Sequence, residues 1–385
     1  MTSNIVRKAG SRIVIVGAGA AGLAVAWQLA RAGHAVTVCD RGERERSGLW
    51  ASGGMLAAGY EAGAELEPDA PLAGAFADFA RRAAGLWPDW AARLESETGL
   101  PLGYERRGSL LPAFTAEESE RASAVMKRAQ ALGFEARRLD SETIAASEPG
   151  LAASLGGIEF PGDGQVDNRA LREALMDAVR AAGGAFETGE ARIETVAGRG
   201  REVVLDDTRR VPADLIVLAS GAFSVEGAPD VAQTRPVKGQ MIAFAAARPL
   251  APNRIVRGFS IYLAAKPGVR LVAGATSEPG EAGLDTDDAA IDRLTEAARR
   301  AVPGLAAVPV IERWAGLRPR SADAMPVIGE AGPGLLLAAG GYRNGVLLAP
   351  ALAEAAAAYV ETGVIRGAAA PFSADRAALL GAPQP

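Results

Sequence analysis

One cysteine and one histidine among 385 residues narrow the chemistry at once. Cys39 alone cannot close an intrachain disulfide and suits a reducing cytoplasm. It falls on a predicted buried strand, where a small core residue is expected rather than a nucleophile. The lone His34 sits in a predicted helix-to-strand turn, where a solvated side chain is expected. A Ser-His-Asp triad and a histidine-rich metal centre are therefore not expected, nor is any metal site. No run of 18 or more apolar residues reads as a membrane span. Ile13 to Trp27 follows Arg7, Lys8 and Arg12 as a signal peptide would, but its glycine spacing and its continuation into a second strand oppose that reading. Met1 to Gly10 is expected to be a disordered leader. There is no basic block and the net charge is −5, so neither nucleic acid nor an anionic membrane is an expected partner. No internal repeat is visible.

What is present is a long, half-apolar chain, 49% hydrophobic and 23% charged, sized for roughly two globular domains. Its organising stretch is SRIVIVGAGAAGLAVAWQLARAGHAVTVCDR at residues 11 to 41. The pattern is strand, tight turn, helix, strand. Ile13 to Val16 form a β-branched run expected to be buried on both faces. In G-x-G-x-x-G, Gly17 permits the sharp turn. Gly19 admits a phosphate to the backbone, and Gly22 lets helix and strand pack closely. The helix start offers free N–H groups and a positive dipole end to a pyrophosphate. Asp40 closes the second strand about 20 residues on, where a ribose hydroxyl needs an acceptor. An unphosphorylated ribose favours FAD or NAD over NADP.

Beyond Asp40, Ser52-Gly53-Gly54-Met55-Leu56 is a small, permissive loop that can lie against a flat ligand. Apolar spacing from Leu72 to Gly99 predicts a helix, and Tyr104 to Pro112 a strand. Thr115 and Glu118 form a capping box opening a helix to Leu132. Asp167 or Asn168 caps another through Val179. Ala185 to Val196 and Arg201 to Leu205 alternate like a small meander. LIVLASG at 215 to 221 is a second buried strand whose Gly221 turn meets the cofactor in a dinucleotide fold. KGQMIAFAA, SIYLAAK and RLVAGATS are short alternating strands of an antiparallel sheet. A helix over Asp287 to Ala301 and a strand over Val310 to Arg318 follow. The chain ends in strand, glycine turn and a long alanine-rich helix. These shifts predict a discontinuous α/β Rossmann-type dinucleotide domain from residues 1–75, 150–226 and 325–385. Residues 76–149 and 227–324 would form an α+β substrate domain with a mainly antiparallel sheet.

VIVGAGAAG with Asp40, the GGML loop, PVKGQM at 236 to 241, VAGATS at 272 to 277, RWAGLRP at 313 to 319 and GYRNGVLLAP at 341 to 350 together resemble a known family. It is that of the FAD-dependent amino-acid oxidases of the D-amino-acid oxidase type, most similar in its glycine oxidase branch, which serves thiamine synthesis. The resemblance spans nearly the whole chain. It implies a glutathione-reductase-like FAD domain, with Ala20, Ala21, Asp40, Arg41, Gly53, Gly54, Met55 and Ala191 holding FAD. Gly341, Tyr342, Arg343, Asn344, Gly345, Val346 and Leu347 would lie against the isoalloxazine. Arg318 would grip the substrate carboxylate, Tyr262 would add a phenol hydrogen bond, and Arg343 would lie beside the amino acid. From the residues alone, Arg318 is equally a structural ion pair with Glu312 or Asp323. Tyr262 is equally an ordinary strand aromatic, and Arg343 a solvated loop charge.

The implied reaction oxidises glycine, sarcosine or a small D-amino acid to its imine and 2-oxo acid. Oxygen is the implied acceptor, giving hydrogen peroxide. Gly48-Leu49-Trp50 departs from a Ser/Thr-rich flavin loop. Ser277 replaces a bulky apolar residue and would widen the pocket. Cys39 and His34 both fall at the adenine end, so the FAD is expected to be non-covalent. A homo-oligomer stays open. The competing readings are a broader amino- or imino-acid dehydrogenase using another electron carrier, and a non-catalytic flavin-binding sensor.

Overall fold

The computed structural model describes residues 9–196, 200–230 and 233–376. Most of the expected leader, residues 1–8, lies outside the described residues. The strand Arg12–Val16 lies near the centre of a six-stranded sheet. Across that sheet the order is Val327–Glu330, Leu335–Ala339, Leu215–Leu218, Arg12–Val16, Ala35–Asp40 and Ala185–Thr188. All neighbours are parallel except the first two. Ile15 faces Val217 on one side and Val38 on the other. Being covered on both faces, the central strands need continuous apolar runs, which RIVIV and LIVL supply. Helices Ala20–Arg31, Asn168–Ala181 and Gly345–Thr362 bury one face. The meander Ala191–Val196, Gly200–Leu205 and Arg209–Pro212 covers the other. Ala185–Thr188 is therefore an edge strand of the main sheet and not part of the meander.

A second, nine-stranded sheet contains the expected antiparallel strands. Arg235–Phe244 pairs with Val310–Arg320 on one edge and with Arg270–Gly274 on the other. Tyr262–Lys266, Ile255–Arg257, Ser109–Pro112 and Gly157–Phe160 continue it. Along Arg235–Phe244 the period of two sorts the side chains. Ile242 and Phe244 pack on helix Asp288–Ala301, while Met241 and Ala243 join Ala51 and Trp314 on the opposite face. The strand predicted from Tyr104 shortens to Ser109–Pro112, because Gly108 at φ 83° breaks the extended run.

Thr115 caps its helix as expected, accepting from the Glu118 N–H at 3.1 Å. Asp167 rather than Asn168 caps the helix that follows it, accepting from the Arg169 and Ala170 N–H groups. The helix Ala73–Thr98 buries Phe79, Trp87 and Leu94 in the same apolar cluster as Gly345–Thr362 and Asn168–Ala181. Its packing thus joins it to the dinucleotide layer, although the boundary expected at residue 76 sets it in the other lobe. Among the described residues no single helix is long and apolar enough to cross a membrane.

Candidate active site

A single cleft runs from the first βα turn to the nine-stranded sheet. At the turn, Gly17 has φ 109°, and a Cβ there would fall 2.4 Å from the Ala219 carbonyl oxygen. A Cβ at Gly22 would meet the Gly17 oxygen at 1.9 Å. Gly19 differs, for nothing lies within 4 Å of its Cβ position. That open space adjoins the N-terminus of helix Ala20–Arg31, which has no side-chain cap. An anion placed there would meet unspent N–H groups. Asp40 lines the cleft with both carboxylate oxygens oriented by the backbone. They accept from the Ala18 and Gly42 N–H groups, each at 2.8 Å. Ala20, Ala21, Ala191 and Gly221 share this end. Arg41 also lines it, paired with Glu190 at 2.6 Å and lying over Phe223.

Gly53, Met55, Gly341, Tyr342, Arg343, Gly345 and Val346 line the middle. The space beside Gly345, at the N-terminus of the last helix, is again open within 4 Å. Gly22, Gly54, Asn344 and Leu347 stand behind this wall instead of lining it. Asn344 is the N-cap of the last helix, and Leu347 is core, with its carbonyl accepting from Trp87 Nε1 at 2.9 Å. Gly54, at φ 63°, backs onto the Val166 oxygen and Lys266. Lys266 is buried and donates from Nζ to Val166 O at 2.9 Å and Gln165 Oε1 at 3.1 Å. Burial lowers its ammonium to about 7. In the Gly48-Leu49-Trp50 segment the cleft receives no hydroxyl, but the preceding Ser47 lines it with a buried Oγ that has no hydrogen-bond partner.

Arg318 projects from the strand Val310–Arg320 at the far end. Its Nη1 donates to Thr276 O at 3.1 Å and Lys238 O at 3.4 Å. Both proposed ion-pair partners are engaged elsewhere: Glu312 with Arg169 and Arg270, and Asp323 with Arg376. Among the described residues no carboxylate pairs with Arg318, and burial lowers its guanidinium from the ordinary value. A buried cation without a counter-charge is costly, so this one is poised for an anionic ligand. Tyr262 lies opposite Gly274 in the next strand pair, its Oη 3.4 Å from Met241 Sδ. Burial raises its phenol to about 12, so it keeps its proton as a donor.

Arg343 is neither free nor solvated. Its Nε donates to Glu61 Oε2 at 2.9 Å, and Glu65 lies 3.4 Å from its Nη2. Glu61 also accepts from Arg257, which is 2% exposed and lies 3.9 Å above the Tyr60 ring. Burial alone would push the Glu61 carboxyl up, but Arg343 and Arg257 hold it down at about 2. Glu61 and Arg257 went unnoticed in the sequence. The signal available was a charge set in each of two small or apolar runs, Glu61 in AGYEAGA and Arg257 in IVRGF.

Two further expectations change. Ser277 is exposed and does not line the cleft, so it cannot widen the pocket. His34 is only 8% exposed, although Arg31, Ala32, Gly33 and Ala35 around it are exposed. Among the described residues no cluster of His, Cys, Asp or Glu could hold a metal.

A dinucleotide cradle opening onto an antiparallel sheet with an unpaired guanidinium defines a two-lobed flavoprotein oxidoreductase. The chain belongs to the FAD dependent oxidoreductase family, DAO, whose pattern matches residues 12–359. It is similar to the glycine oxidase of Geobacillus kaustophilus, with 31% identity over 373 residues covering 94% of this chain and 96% of that protein. It is 33% identical over 346 residues to the bifunctional protein ThiO/ThiG of a Nostoc species, covering 88% of this chain but 51% of that protein. The chain thus spans about half the length of that bifunctional relative. The crystal structure of the Geobacillus kaustophilus glycine oxidase superposes with a TM-score of 0.83 at 30% identity, covering 94% of this chain and 98% of that one.

The cleft fits FAD: open space at two helix N-termini, an oriented carboxylate at the second strand end, and a glycine-lined wall between them. FAD is the cofactor of the family to which this chain belongs.

Proposed function

We propose that this protein oxidatively deaminates glycine or a similarly small amine acid, such as sarcosine or a small D-amino acid. Oxygen is the acceptor and is reduced to hydrogen peroxide; the imine either feeds thiazole synthesis for thiamine or is hydrolysed by water to the 2-oxo acid and the amine, ammonia from a primary amino acid and methylamine from sarcosine. The observation that carries this reading is Arg318, half-buried in the cleft with no carboxylate partner among the described residues. The names of the relatives, glycine oxidase and ThiO/ThiG, support the substrate class and the pathway. In this reading, segments 1–75, 150–226 and 325–385, with helix Ala73–Thr98 packed onto them, hold the non-covalent FAD. The sheet around Arg235–Phe244 supplies the substrate wall. The single buried Cys39, its thiol pushed by burial up to about 12, fits a reducing cytoplasm and offers no flavin attachment.

Bound FAD supplies a two-electron oxidant for the amine. The chain supplies orientation. Arg318 takes the substrate carboxylate, and Tyr262, which keeps its proton, donates a hydrogen bond to it. Glu61 stays ionised between Arg343 and Arg257, so the wall beside the substrate keeps a fixed charge pattern while the amine gives its proton to solvent. No side chain is needed as a general base, which agrees with a cleft that His34 does not line. The test is release of hydrogen peroxide from glycine, sarcosine, D-alanine and D-proline, accompanied by ammonia from the primary amines glycine and D-alanine and by methylamine from sarcosine. Stoichiometric release with at least one of them supports the assignment; flavin reduction without peroxide would reassign the acceptor.

A further inference from the structure

Arg318 reaches its place only because the neighbouring strand has no side chain where the guanidinium lies. Arg318 stands opposite Val237 and Gly316 opposite Gly239, so Gly239 is the diagonal neighbour of Arg318 on one sheet face. A Cβ at Gly239 would lie 2.5 Å from Arg318 Nη2, 2.6 Å from Nη1 and 2.7 Å from Cζ. Closest to the two Nη atoms and slightly farther from Cζ, it would press on the outer, Nη-bearing end of the guanidinium. Gly239 also lines the cleft.

We propose that Gly239 is the positioning residue of the carboxylate anchor: the absence of its side chain fixes the height of the Arg318 guanidinium above the sheet. The inference rests on reading Arg318 as that anchor. Gly239 needs no left-handed backbone, since its φ lies outside the positive range. The atoms a Cβ would meet are the far end of a flexible side chain, whereas at Gly17 and Gly22 they are backbone. A methyl group at residue 239 therefore leaves the fold and the FAD cradle intact. It lifts the guanidinium by about an ångström, the distance that restores ordinary van der Waals contact. That lift stretches the bonds from Nη1 to Thr276 O and Lys238 O and moves the free edge. Tyr262 is seated in the same manner, since a Cβ at Gly53 would lie 2.5 Å from its Oη.

The experiment is a double-mutant cycle on the FAD-loaded protein, read by the flavin absorbance change as acetate is titrated. Gly239→Ala should keep FAD content and Tm while weakening acetate binding roughly ten- to a hundredfold, the scale of an ångström misplacement. In an Arg318→Lys background the same change should weaken binding much less, because lysine lacks the two Nη groups that the added carbon would meet. Acetate binding unchanged in Gly239→Ala, or an equal loss in both backgrounds, would overturn the inference. Arg318→Ala separates the two levels: acetate bound as tightly in that variant would overturn the anchor itself, while its loss beside an unaffected Gly239→Ala would overturn only the role of Gly239.

Discussion

At Arg318, burial opposes a charge that no carboxylate among the described residues balances, while every other strongly buried charge of the cleft has a partner. Glu61 is the counter-example. It is more deeply buried, yet two guanidiniums keep it ionised down to about pH 2. Because its folded value lies below the ordinary carboxylate range, its contribution to stability is present above that range and is lost as pH falls through about 2. Glu61→Gln should therefore lose ~3–5 kcal/mol at neutral pH, the cost of stranding a buried partner. The difference from the unchanged protein should shrink as pH drops from about 4.3 toward 2. Denaturant titration at pH 7 and pH 2.5 measures both values, and a pH-independent difference would contradict the ionised pair.

Among the elements, the strand–turn–helix of residues 12–40 was legible because each of its glycines answers a distinct steric demand. Gly17 and Gly22 meet backbone, and Gly19 meets nothing. Asp40 is more deeply committed than the spacing implied, holding the Ala18 and Gly42 N–H groups. Asp40→Ala should thus loosen the turn itself, at about 1–3 kcal/mol for the orphaned donors, and lower FAD retention. Flavin content after dialysis reads this, and undiminished content would count against a ribose contact.

What the sequence hid were pairings between distant elements. Helix Ala58–Glu65 has no side-chain cap of its own, and Asp163, some hundred residues away, accepts from its Gly59 N–H at 2.8 Å. No local pattern announces such a cap, or the Arg257–Glu61–Arg343 hub that the helix carries. The meander boundary failed for a related reason: Ala185–Thr188 alternates like its neighbours, but its partner is Ala35–Asp40. Lys266, behind the Gly54 loop, gives this scale its pH test. Its folded value of about 7 lies below the unfolded one, so stability falls as pH drops from about 10 toward 7. Lys266→Met should flatten that slope in Tm, and an unaltered slope would show the amine to be charged throughout.

Over the whole molecule, the two sheets meet along one cleft, with open space beside Gly19 and the oriented Asp40 at one end and the guanidinium of Arg318 at the other. The family and the two-sheet plan were readable because WAGLRP and GYRNGVLLAP are specific motifs that serve one cleft, the first from the strand Val310–Arg320 and the second from the turn that opens the last helix. The most direct measurement is anaerobic mixing of the FAD-loaded protein with glycine, sarcosine and D-alanine, followed by flavin absorbance, for the unchanged chain and for Arg318→Ala. The account predicts bleaching of the unchanged protein by at least one of these and none of the Arg318→Ala protein at equal flavin content. Equal bleaching of both proteins would contradict it.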